Sequence, residues 1–106
     1  MVRFVVMIKL KPDAMELMPQ AGISLPEVWE NLSKIDAPGM LSFHAGFDTR
    51  QHYDINWSFG VSIDFTDFDA FKYWFDHPDH RRFGMPCEPF IAETARVVFP
   101  MGDQGF

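Results

Sequence analysis

Four histidines and one cysteine are the side chains best suited to proton transfer or metal binding, and two of the histidines stand together. His77-Pro78-Asp79-His80, followed by Arg81-Arg82-Phe83-Gly84, sets two imidazoles three residues apart across a proline. An imidazole near neutral pKa is the commonest general acid or base. At the end of a helix it also meets the partial negative charge of the C-terminus, which favours the protonated ring. The plainer account is that His77 caps the preceding helix and His80 fills a loop. The pair does not read as a metal site, because no other strong ligand stands at a metal spacing.

The other candidates are weaker. His44, in MLSFHAGF, has the parity opposite to Phe43 and could face either a pocket or a sheet seam. His52, in the turn DTRQHYD, reads as solvent-exposed, and Arg50 beside it as a solvated cation or an anion contact. Cys87 is a lone thiol with nothing around it to activate a thiolate, and it excludes an intrachain disulfide or a cysteine zinc cluster. Asp64, Asp67, Asp69, Asp76 and Asp79 read as helix caps and surface, not as a paired-carboxylate site. Without GxGxxG, a P-loop or CxxCH, no nucleotide, flavin or haem site is expected, and the cofactor expectation is none.

The elements that must position these residues follow from periodicity. Val2, Phe4, Val6, Ile8 and Leu10 share one face of a strand, with Arg3 and Lys9 on the other. Lys11-Pro12-Asp13 ends it, and residues 13–23 form a Met-rich connection. Ser24-Leu25-Pro26-Glu27 is a capping box opening a helix whose stripe is Val28, Trp29, Leu32 and Ile35. Residues 40–47 are a second strand, 48–53 its turn, and 54–65 a third strand with Ile55, Trp57, Phe59, Val61, Ile63 and Phe65 on one side. Thr66, with Asp69 following, starts a second helix carrying Phe68, Phe71, Trp74 and Phe75, and His77-Pro78 stops it. Residues 79–85 turn, 86–94 form a short helix, and 95–100 make the last strand. This order predicts an α+β, ferredoxin-like βαββαβ domain with a four-stranded antiparallel sheet over residues 1–106. The outward face of the third strand, with Ser58, Gly60 and Ser62, is small enough for a second copy to cover it, which predicts a homodimer.

Composition agrees with such a domain. Of 106 residues, 47% are hydrophobic and 23% charged, which excludes intrinsic disorder. The aromatic share, 16%, is large for so small a core, so the rings must fill it, line a pocket or meet a partner chain. A net charge of −6 with scattered basic residues argues against nucleic acid. The apolar run near the N-terminus is too short for a signal core or a membrane span, so a cytoplasmic protein with no membrane contact is expected.

VRFVVMIKLKPD, PGMLSFHAG and SIDFTDFDAFKYWFDHPDHRRFG, with Phe90 beyond, resemble the stress-responsive dimeric α/β-barrel (Dabb) family, and within it the plant polyketide cyclases. The resemblance implies a dimeric α/β barrel with a small-molecule pocket. It implies that His80 is the catalytic base, and that the tyrosine paired with that base is replaced by Trp74, with Tyr73 next to it. Two pocket histidines of the cyclases align with Phe4 and Phe59, an apolar pocket residue with Val61, and a tyrosine with His44. The expected site is therefore His80 with Trp74, Phe59, Phe4, Val61, Phe71 and His44 around a small, largely apolar, carbonyl-bearing molecule. The function expected is a cofactor-independent cyclase, lyase or isomerase. The alternatives are a stress-response or carrier protein that binds such a molecule without turnover, and a structural dimer with a closed core.

Overall fold

A computed structural model describes residues 1–50 and 57–102. The described elements are β1 (Val2–Leu10), α1 (Ala14–Gln20), α2 (Leu25–Ser33), β2 (Met40–Phe47), β3 (Phe59–Phe65), α3 (Phe68–Asp76), α4 (Pro78–Gly84), a 3₁₀ helix (Met85–Phe90) and β4 (Ile91–Pro100). The four strands form one antiparallel sheet in the order β2-β3-β1-β4. This is the ferredoxin-like arrangement that the element order predicts.

Alternation along β1 and β3 buries Phe4, Val6, Ile8 and Leu10 on one strand and Phe59, Val61, Ile63 and Phe65 on the other. The register sets Phe4 opposite Ile63, Val6 opposite Val61 and Ile8 opposite Phe59, so the two central strands build one apolar floor. Helices cover it. In α2 the Ser24 hydroxyl accepts the Glu27 N–H at 3.4 Å, the predicted cap, and Leu25, Val28, Trp29 and Leu32 turn inward. The Met-rich connection contains α1, which buries Ala14 and Met18 one turn apart. Gly39 is required twice over: its φ is +96°, and a Cβ there would stand 2.6 Å from Ala70 Cβ and 2.7 Å from Thr66 Oγ1.

Several boundaries differ from the sequence reading. The cap of α3 is Asp67, whose carboxylate accepts the Ala70 N–H at 2.8 Å, and not Thr66, whose own N–H bonds the Gly39 carbonyl at 2.8 Å. Phe68 is not core: it stands in the first turn, 54% exposed, with its ring tilted against Phe71 at 5.6 Å between centroids. Residues 79–85 are not a turn. Pro78 ends α3 and also begins α4, because a proline at the first helical position loses no hydrogen bond and presets φ. Asp79 in the first turn and Arg81 and Arg82 in the last suit the helix dipole. The helix expected over 86–94 is the 3₁₀ helix, and β4 begins at Ile91 because Ile91 pairs with Leu10 across a bulge. The third strand begins at Phe59, with Trp57 and Ser58 outside it, while residues 54–56, half of the turn before them, including His52, and the tail with Phe106 lie outside the described residues. Among the described residues no helix is long and apolar enough to cross a membrane.

Candidate functional site

A cavity of about 470 Å³ opens between the sheet and the helices. Its floor is Phe4, Val6 and Ile8 of β1 with Ile91, Thr94 and Arg96 of β4. Val28, Trp29 and Leu32 of α2 form the opposite wall. Phe75 and His80 stand together on the α3–α4 side, and Arg81, Met85, Cys87 and Glu88 complete the lining. Apolar walls with a few placed polar groups are how small-molecule sites are built.

His80 lies in the first turns of α4 and is wedged between rings. Its imidazole meets Trp74 edge-on at 4.5 Å and Phe75 at 4.9 Å between centroids. Nδ1 is buried with no hydrogen-bond partner among the described residues, which leaves Nε2 as the nitrogen able to meet a molecule in the cavity. Burial, and then the positive charge of Arg96, hold the imidazole below its ordinary pKa, with Asp76 opposing. At neutral pH the ring is therefore uncharged and can accept a proton or donate one.

His77 plays a different part. Its Nδ1 accepts the Asp79 N–H at 3.0 Å, so the side chain caps α4, the helix that follows it, and not α3, the helix before it. An accepting Nδ1 is an unprotonated one, and this keeps His77 in a structural role. Cys87 is equally quiet: its Sγ–H donates to the Gly84 carbonyl at 3.0 Å, and burial pushes the thiol up.

Of the residues expected around the site, Phe4 and His80 line the cavity together. The others do not reach it, and each for a visible reason. Trp74 is fully buried behind His80, with its indole N–H donating to the Leu32 carbonyl at 2.9 Å. Phe71 is packed between Phe4, Phe65 and Phe75. Val61 lies in the floor of β3, and Phe59 packs edge-on against Phe47 at 5.0 Å, both beneath the other half of the helix layer. His44 pairs with Ser62, and so points to the open side of the sheet, where Arg3, Ser42 and Asp64 are hydrogen-bonded. Trp29, Thr94 and Arg96 were missed. Arg96 and Thr94 face inward because they pair with Val6 and Ile8, but an edge strand with a bulge does not declare its inward face from parity alone.

Comparison with known proteins adds the lineage. The family model of the stress responsive A/B barrel domain matches residues 2–100. The chain belongs to the Dabb family. No curated protein matches it. Among solved structures it is similar to a Dabb protein with a ferredoxin-like fold from Mesorhizobium loti, at 26% identity over 95% of this chain and 97% of that one, with a TM-score of 0.66. It is also similar to a dimeric ferredoxin-like protein of unknown function from Thermobifida fusca (24% identity, 92% and 88% covered, TM-score 0.69). SnoaB, a cofactor-independent oxygenase from Streptomyces nogalater, shares the fold at 15% identity, with 93% and 90% covered and a TM-score of 0.63.

Proposed function

We propose that this Dabb protein is a homodimeric enzyme that needs no cofactor and uses His80 to move a proton on a small, largely apolar, carbonyl-bearing molecule held in the cavity. The observation that carries this reading is the position of His80, an uncharged imidazole set into the wall of a cavity otherwise floored by Phe4, Val6 and Ile8. In the step proposed, Nε2 takes the proton from a carbon next to the carbonyl. The C–H electron pair becomes the enolate double bond, and the charge passes to the carbonyl oxygen. Return of the proton to another atom gives an isomer. Attack of the enolate carbon on a second carbonyl forms the ring and moves the C=O electron pair to oxygen, which takes the proton back from Nε2. In the reverse sense Nε2 removes that hydroxyl proton, the C–C bond breaks to the enolate, and the proton returns to its carbon. Trp74 and Phe75 act as positioning residues, because their rings fix the imidazole where a carboxylate partner on Nδ1 would otherwise do so.

The dimer is proposed on two grounds. Solved relatives of the fold are dimeric, and the open sheet face exposes Met7 and Val97 around Gly60, where a Cβ would meet nothing. A second copy would cover that face. Sedimentation at micromolar concentration that finds only a 12.3 kDa species removes this part of the reading.

The test of the enzyme is His80→Gln, assayed on carbonyl compounds drawn from the neighbouring genes. Loss of a general base lowers turnover by about 10²–10⁴-fold, with binding held within a few-fold. Because His80 is held below its ordinary pKa, wild-type turnover should stay level through neutrality and fall only below about pH 6.5. Unchanged turnover in His80→Gln places the base elsewhere. Binding without turnover is the competing reading, and it is favoured by one observation: no group among the described residues orients Nδ1.

A further inference from the structure

The basic residues of this acidic protein divide by what they touch. Arg3, Lys9, Lys34, Arg50 and Arg82 each stand within 4.0 Å of a carboxylate. Arg81 turns its Nε to the Met85 sulfur, and Arg96 forms no ion pair among the described residues. Both Arg81 and Arg96 line the cavity, and Glu88 is the one carboxylate that lines it with them. So in a chain of net charge −6, the hollow beneath the helices has an excess of positive charge while His80 is neutral.

Arg96 is also placed by register. It pairs with Val6 and Thr94 with Ile8, so a guanidinium and a hydroxyl follow each other along the β4 side of the floor, next to the apolar strip of β1. A guanidinium offers a planar fork of N–H donors that matches a carboxylate in two parallel bonds. A molecule with one charged end and an apolar body would satisfy both strips together.

We propose that Arg96, aided by the Thr94 hydroxyl, is the anion-binding group of this cavity, and that the molecule it takes is a monocarboxylic acid whose apolar body lies along Phe4, Val6 and Ile8. This rests on reading the cavity as the substrate site, and it adds the substrate class: the carbonyl compound is an acid. The acid end held at β4 turns the body of the molecule toward the α3–α4 wall that carries His80.

The test uses two probes of one shape, 2-naphthoate and 2-naphthylmethanol, titrated while tryptophan emission is followed, since Trp29 lies in the wall. The wild type should prefer the acid by about tenfold, the range of a charge-assisted bidentate pair at a solvent-reached rim, where Arg96 and Thr94 stand exposed. Arg96→Leu should lose that preference and keep its affinity for the alcohol, which also shows that the variant is folded. Arg96→Lys should keep part of the preference, since it retains the charge and loses the fork. Equal binding of acid and alcohol by the wild type overturns the proposal. So does an undiminished preference in Arg96→Leu, and so does no binding of either probe up to about 1 mM. His80→Gln should leave the preference intact, so a failure of the proton-transfer reading is seen in turnover alone and a failure of this one in the acid-to-alcohol ratio alone.

Discussion

The helix-facing side of the sheet is solid over β3 and hollow over β4. Over β3, Phe65, Phe71, Trp74 and Phe43 pack ring to ring, with centroids 5.7–6.5 Å apart, beneath α3. Over β4 the cover is α4 and the 3₁₀ helix, two short elements made of residues 78–90. Cys87 is the one buried residue they contribute, so they bridge the floor without filling it. The difference teaches that a cavity need not be carved by special residues. It arises where the covering helix is short and the floor beneath carries polar side chains. Part of the aromatic excess seen in the composition packs in the solid half, where Trp74 backs His80.

The largest test of this contrast is Trp74→Ala. It removes a fully buried ring, leaves the Leu32 carbonyl without its donor, and should cost about 3–5 kcal/mol in chemical denaturation. A loss below about 1 kcal/mol would mean that the solid half is not packed as described.

A matched pair sharpens the comparison. Ile63 in β3 and Ile8 in β1 are both buried on the same face of the sheet, but only Ile8 borders the cavity. Ile63→Ala should cost about 3–5 kcal/mol and Ile8→Ala about 2 kcal/mol, since a side chain beside an existing void has fewer contacts to lose. Equal losses would show that the hollow closes in solution.

The smallest expected effect is on acid stability. His80 is neutral in the fold and its pKa lies below the unfolded value, so the unfolded chain takes up a proton first as pH falls. Stability is then lost from about pH 6.5 downward toward the folded pKa. Asp64, held low by Arg3, gives up its share only once pH falls below about 3.9. In His80→Phe the upper of these two losses should vanish and the lower remain. A wild type whose midpoint is flat between pH 7 and about 5 would contradict the half-buried imidazole and its lowered pKa.

Much of the fold was legible in the sequence because burial on a sheet has period two. The alternation in VRFVVMIKL and FGVSIDF marked the two central strands, and Ser24 with Glu27 marked α2, because caps act within a few residues. The misread stretch was 78–94. There one proline both stops and starts a helix, and a strand begins wherever its partner's hydrogen bonds begin, so local signals are ambiguous. Of the residues that line the cavity, Phe4 and His80 were the two that the family resemblance pointed to, Phe4 by its alignment with a pocket position and His80 by the HPxH step.

By itself the sequence determined the four strands, α2 and α3, the helix-facing rows of β1 and β3, and the family, since each depends on neighbours a few residues away or on a motif. Only the tertiary structure decided which side chains meet. It set Trp74 behind His80, turned His44 to the open side of the sheet, and brought Arg96 to the cavity that His80 and Phe4 line. The physical reason is that these outcomes depend on strand order and register. A side chain's face on an edge strand is settled by the strand it pairs with, Val6 opposite Arg96, and that partner lies at the other end of the chain.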